Sequence, residues 1–163
     1  MDAIPGDRPP LMADNMLGTL AKWLRVAGAD CAYADGMEDD DLLQVASSGR
    51  VVLTRDRTLF QRCGPMGLYV GSDQLDEQLT QVIRAFPGLL EGEPLSRCLV
   101  CNVPLGETGP DQVTDRVPEG VLERHERFWS CPDCDRVYWM GTHWEDMLVR
   151  LAIIKERAEE GQG

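Results

Sequence analysis

Four of the six cysteines stand in two close pairs, Cys98-Leu99-Val100-Cys101 and Cys131-Pro132-Asp133-Cys134. Thiolates are soft ligands that suit zinc, and four of them close a tetrahedral shell with no open position. Each pair can wrap one side of a metal from a tight turn, so Cys98, Cys101, Cys131 and Cys134 read as one structural zinc site. A redox pair would be expected alone, near the start of an α/β domain, and would leave the second pair unexplained. A closed shell is not catalytic; its task is to hold together a module too small to fold by burial alone. Cys31 and Cys63 lie outside the pairs, among apolar neighbours, and read as small core residues.

A second set of residues offers different chemistry. Asp14 follows the apolar run Leu11-Met12-Ala13, Asp56 follows Val51-Val52-Leu53-Thr54-Arg55, and the triplet Asp39-Asp40-Asp41 lies between them. Convergent carboxylates are hard oxygen ligands for magnesium or manganese. Two such ions activate water and steady the leaving oxygen in phosphodiester cleavage. The competing reading is structural: aspartate is a favoured helix cap at Asp14 and Asp39, and a turn residue at Asp56. The residue pattern leaves both readings open.

Convergence depends on the elements. Leu11–Ala13, Cys31–Ala34, Val51–Thr54 and Leu68–Val70 read as strands, the third being the clearest because it is apolar and β-branched. Helices are expected from about Asn15 to Ala27, with Gly28 as the stop, and from Asp39 or a neighbour to near Gly49. A short turn should pass through Leu59 and Phe60, and a further helix capped by Ser72 or Asp73 should end at Pro87-Gly88. Strands alternating with helices imply an α/β fold with a parallel sheet and right-handed crossovers. The carboxyl ends of such strands open into the ligand crevice, which is where Asp14 and Asp56 fall. Residues 87–97 read as a linker, and the insert between the cysteine pairs as a loop or hairpin extension. Val137-Tyr138-Trp139 suggests a strand, and Trp144, Met147, Leu148 and Leu151 a final amphipathic helix. The expected division is therefore 10–88 for the α/β domain and 95–155 for the zinc module with its helix.

Composition narrows the partners. The net charge of −12, from 28 acidic against 16 basic residues, argues against a broad basic surface for duplex binding. No apolar run reaches the length a membrane span needs, and Met1 to Pro10 lacks the basic-then-apolar order of a signal peptide, so a cytoplasmic location is expected. There is no glycine-rich dinucleotide or phosphate loop, and two histidines, His125 and His143, supply no triad. With four cysteines at hand, neither histidine is needed for zinc. Trp129, Trp139 and Trp144 read as packing for a thin core rather than as stacking platforms.

The stretch Ala13-Asp14-Asn15-Met16-Leu17-Gly18-Thr19-Leu20-Ala21-Lys22-Trp23-Leu24-Arg25 resembles the opening motif of the Mut-seven C-terminal RNase domain family, a branch of the PIN-like nucleases. The likeness continues through Asp39-Asp40-Asp41-Leu42-Leu43 and Leu53-Thr54-Arg55-Asp56-Arg57, then Arg97-Cys98-Leu99-Val100-Cys101-Asn102 and Phe128-Trp129-Ser130-Cys131-Pro132-Asp133-Cys134. It closes on Tyr138-Trp139-Met140-Gly141-Thr142-His143-Trp144, and so spans about residues 11–150 in order. The resemblance implies a PIN-like domain fused to a zinc ribbon, acting as a metal-dependent ribonuclease on RNA, expected to be single-stranded. It maps the catalytic acids onto Asp14, Asp39 and Asp56, with magnesium or manganese as cofactor. Asp39 is preferred to Asp40 because of its place before Leu42-Leu43. Many PIN-like domains carry a further acid just after the third-strand aspartate; here that position is Thr58, with Asp73 a weak substitute. Lys22, Arg25, Arg55 and Arg57 are the candidate phosphate contacts. The alternative is a non-catalytic RNA- or protein-binding module that uses the ribbon as its contact surface.

Overall fold

A computed structural model describes residues 6–160. The start of the N-terminal stretch and the end of the charged tail, residues 1–5 and 161–163, lie outside the described residues. The strands β1 (Leu11–Ala13), β2 (Cys31–Tyr33), β3 (Val51–Thr54) and β4 (Gly67–Tyr69) form one parallel sheet in the order β2-β1-β3-β4. Parallel pairing requires crossovers, and these are α1 (Gly18–Val26), α2 (Asp39–Ser47) and α3 (Arg57–Cys63), with α4 (Leu75–Ala85) after β4. Every residue of β1 and β3 is buried, as expected for central strands covered on both faces.

Alternation along the strands separates the two faces. Leu11, Ala13, Val51 and Leu53 share a core with Leu20 and Leu24 of α1 and Leu79 and Val82 of α4. Met12 and Val52 face the other way, onto Leu42 and Ala46 of α2 and Leu59 and Cys63 of α3. Cys31 and Cys63 are both buried, the core role expected of them. Gly28 ends α1 with φ at 91°, and any side chain there would run into the carbonyl oxygen of Glu93.

Several boundaries move. A 3-10 turn, Asn15–Leu17, precedes α1, because Asp14 caps it by accepting from the Asn15 N–H. Glu38, not Asp39, caps α2: it forms a reciprocal capping box with Asp41, and Asp39 becomes the first helical residue. The expected turn at Leu59 and Phe60 is a seven-residue helix capped by Asp56. Gln74 occupies the cap position of α4, with the Ser72 hydroxyl accepting from its N–H. The linker is a packed 3-10 segment, Pro87–Glu91, and both Leu89 and Leu95 are buried.

The insert between the cysteine pairs holds β5 (Gly106–Thr108), α5 (Glu119–Arg124) and β6 (Phe128–Ser130). With β7 (Val137–Tyr138) it makes an antiparallel sheet, β5-β6-β7, over a small core of Val113, Val117 and Phe128. The last helix, α6 (Thr142–Glu160), returns to the first half of the chain. Its Trp144, Met147, Leu151, Ile154 and Ala158 lie in the same core as α1 and α4. Among the described residues no helix is long and apolar enough to cross a membrane.

A polar clasp joins the first cysteine turn to the edge of the parallel sheet. Arg25, only 7% exposed, donates from Nε to the Cys31 carbonyl at 2.7 Å and from Nη1 to the Leu99 carbonyl at 2.7 Å. Asn102 accepts from the Cys31 N–H at 3.0 Å and donates to Asp30 at 2.8 Å. Asp30 also holds Arg50 at 2.8 Å. Burial pushes the Asp30 carboxyl up, but hydrogen bonds from Arg50 and Asn102 and the charges of Arg50 and Arg97 outweigh it and hold the group below its ordinary value. Arg25 is thus committed to the clasp, which corrects its assignment as a phosphate contact. Replacing it leaves the carbonyl of buried Cys31 and that of half-buried Leu99 without this donor. Arg25→Met should lower the unfolding free energy by about 3 kcal/mol in denaturant titration, whereas Lys22→Met, on the exposed face of the same helix, should leave it unchanged.

Candidate active site and metal centre

Strand order reverses direction at β1: the chain moves outward to β2, then crosses back to place β3 on the other side of β1. Crevices open at such switch points, outside the carboxyl ends of the strands. Asp14 follows β1 directly, and Asp56 follows β3 by one residue. A shared hydroxyl links them. Thr54, 0% exposed, donates from Oγ1 to Asp14 Oδ2 at 2.7 Å and accepts from the Asp56 N–H at 3.0 Å. Asp14 Oδ1 accepts from the Asn15 N–H at 2.7 Å. Asp56 Oδ1 caps α3 through the N–H groups of Thr58 and Leu59, at 2.8 and 3.1 Å. Capping therefore occupies one oxygen of Asp56 and leaves Oδ2 for other work.

Asn15 brings the start of α2 toward the same edge. Its Oδ1 accepts from the Gly36 N–H at 2.8 Å, and its Nδ2 donates to the Met37 carbonyl at 3.3 Å and to Asp14 Oδ1 at 3.2 Å. The three acids of the triplet then take different roles. Asp41 closes the capping box, and Asp40 pairs with Arg62 at 3.3 Å on the exposed surface. The Cys63 thiol is raised by burial and also by the charges of Asp14 and Asp39, with Arg62 opposing. Asp39 stands at the first position of α2, after the Glu38 cap. Asp73 accepts from Gln74 Nε2 at 3.1 Å, beyond the end of β4.

The cationic candidates divide as well. Arg55 Nε is buried without a hydrogen-bond partner. The Arg57 guanidinium lies 5.0 Å above the Tyr69 ring, and Lys22 is exposed. Sequence reasoning passed over Thr54 and Asn15. Thr54 read only as a β-branched strand residue; a buried hydroxyl ending an otherwise apolar strand, between two aspartates, was the available signal.

The four paired cysteines do converge. Their sulfur atoms all lie within 4.8 Å of one another, the one such group of three or more metal-ligand side chains among the described residues. Cys98 Sγ and Cys134 Sγ are 3.7 Å apart, close to the ~3.8 Å edge of a tetrahedron with zinc–sulfur bonds of about 2.3 Å. The two turns repeat one design. Cys101 N–H points at Cys98 Sγ at 3.4 Å, and Cys134 N–H at Cys131 Sγ at 3.5 Å. Each turn ends on a left-handed residue, Asn102 at φ 66° and Asp135 at φ 61°, a conformation that asparagine and aspartate tolerate. A closed set of four soft ligands fits zinc in a structural role.

Hydrogen bonds from the backbone and side chain of Arg136 bring the Cys134 thiol down to about 6, while hydrogen bonding to Cys134 raises Cys101 to about 12. Tyr138 adds an outer contact. Its hydroxyl accepts from the Leu99 N–H at 3.1 Å and lies 3.2 Å from Cys98 Sγ, where it is the donor once that sulfur is a thiolate. Outer-shell donors of this kind hold metal ligands in place. Tyr138→Phe should keep the fold and release zinc to a chromophoric chelator about tenfold faster than wild type.

His125 and His143 take no part in the sulfur cluster. Trp144 is buried in the main core, Trp139 packs against Phe128, and Trp129 lies under the Arg127 guanidinium, so the tryptophans pack.

No curated protein and no solved structure matches the chain. A family model, that of the Mut7-C RNAse domain, matches residues 9–151, which takes in the parallel sheet, both acid-bearing strand ends and all four paired cysteines. The chain belongs to the Mut7-C RNAse domain family.

Proposed function

We propose that the protein is a metal-dependent ribonuclease that hydrolyses RNA phosphodiester bonds with magnesium or manganese at Asp14, Asp39 and Asp56, and that Cys98, Cys101, Cys131 and Cys134 hold a structural zinc. The observation that carries this reading is the Thr54 hydroxyl shared between Asp14 and Asp56 at the switch point. A pair of helix caps needs no such link. The hard oxygen donors suit either ion, and the uncommitted Oδ2 of Asp56 leaves a ligand position beside Asp14. When bound there, the metal lowers the pKa of a water and offsets the charge of the phosphate.

The protein's own groups supply the rest. Thr54 and Asn15 fix the orientation of the Asp14 carboxylate, which spares reorganisation at the moment of reaction. Arg55, with its partnerless Nε, and Arg57 flank Asp56 in sequence, and together with the exposed Lys22 they are the cations proposed to hold phosphate oxygens.

One observation favours the alternative, a binding module without catalysis: the acids are not gathered within 4.8 Å as the cysteines are. Manganese-dependent cleavage of labelled RNA separates the two. Wild type should cut, and a folded, zinc-loaded Asp56→Asn variant, which keeps the helix cap, should be at least about a hundredfold slower. Equal cleavage by both would place any activity elsewhere, and no cleavage by either would favour the binding module.

A further inference from the structure

The two outer strands of the parallel sheet both end in tyrosine. Tyr33 closes β2 level with Ala13, and Tyr69 closes β4 level with Thr54. The carboxyl edge therefore runs from Tyr33 past Asp14 and Thr54 to Tyr69, three strand spacings or about 14 Å. At one end Tyr33 is 38% exposed although its hydroxyl already donates to the Asn15 carbonyl at 2.6 Å. Its polar tip is committed, so what it offers to solvent is the ring. Gly18 lets that ring lie against the start of α1: a Cβ there would stand 3.3 Å from it. Met16, between Asp14 and α1, is 70% exposed, the most exposed large apolar side chain among the described residues. At the other end Tyr69 carries the Arg57 guanidinium on its face at 5.0 Å, a planar cation at the crevice.

A ring held in place yet still 38% exposed, and a thioether 70% exposed, both near the acid-bearing edge, are not fully accounted for by packing. We propose that this edge is a track for single-stranded RNA, in which a base stacks on Tyr33 against Met16 and a second base or phosphate meets the Arg57–Tyr69 stack, with the scissile phosphate between them. The proposal rests on the nuclease reading of Asp14 and Asp56. Stacking on aromatic and guanidinium planes requires bases that are not already paired and stacked in a duplex. It also supplies affinity without a broad basic surface, which a chain of net charge −12 lacks.

The test uses the zinc-loaded full chain with no added magnesium or manganese, so that binding is read without cleavage. Fluorescence anisotropy compares a short oligoadenylate with an abasic oligonucleotide of equal length and charge, and with the same sequence as a duplex. The single strand should bind about tenfold more tightly than either competitor. Tyr33→Phe, which keeps the ring and loses the hydroxyl bond, should retain that preference; Tyr33→Leu should abolish it. Met16→Ser, at a site too exposed to disturb folding, should reduce it severalfold and serves if Tyr33→Leu misfolds. Equal binding of base-bearing and abasic strands, equal binding of the duplex, an unchanged preference in Tyr33→Leu and Met16→Ser, or no binding at all would overturn the proposal. Failure of manganese-dependent cleavage with the base preference intact would instead sink the nuclease reading alone.

Discussion

The handedness of the crossovers is the constraint on which this structure depends. Right-handed connections oblige α1, which leads outward from β1 to β2, to lie on one face of the sheet. They oblige α2 and α3, which lead in the opposite direction, to lie on the other. The carboxyl ends of β1 and β3 are thereby left side by side with their following helices diverging. No choice of side chain creates that crevice. The side chains only furnish it: Asp14 and Asp56 at its two lips, and Thr54 beneath them as donor to one and acceptor for the other.

The same small sheet needs support, since none of its strands exceeds four residues. The second half of the chain provides it in two ways. The α6 helix places Trp144, Met147, Leu151 and Ile154 into the core already formed by α1 and α4. The first cysteine turn lends its carbonyls to Arg25 and its Asn102 to Cys31 and Asp30, bracing the edge strand β2. The sulfur cluster thus sits behind the strand whose far end carries Tyr33.

Much of this was legible in the amino-acid sequence because the signals were local. Val51–Thr54 announced a buried strand by β-branching, the α4 segment by its apolar spacing, and the sulfur site by two identical intervals. What escaped depended on polar contacts, some within one turn and some distant in sequence, that apolar spacing does not report. Glu38 displaced Asp39 as the cap because Asp41 completes its box, and the helix at Asp56 lengthened once its carboxylate took two N–H groups. Arg25 read as a candidate phosphate contact; its partners include carbonyls far along the chain, which no periodicity reveals. Thr54 and Asn15 were missed for the same reason. The acids stood out as single residues, while the groups that join them were polar residues inside ordinary-looking elements.

The claim at the centre of this account is that Asp14 and Asp56 hold a divalent ion rather than merely cap helices. Titration of manganese into zinc-loaded protein, followed by the electron paramagnetic resonance signal of the free ion, tests it directly. Manganese uptake should be saturable in wild type and abolished in Asp14→Asn, while the zinc content and thermal unfolding stay as in wild type. Uptake that is absent in wild type, or unchanged in Asp14→Asn, would contradict it and leave the two aspartates as structural caps.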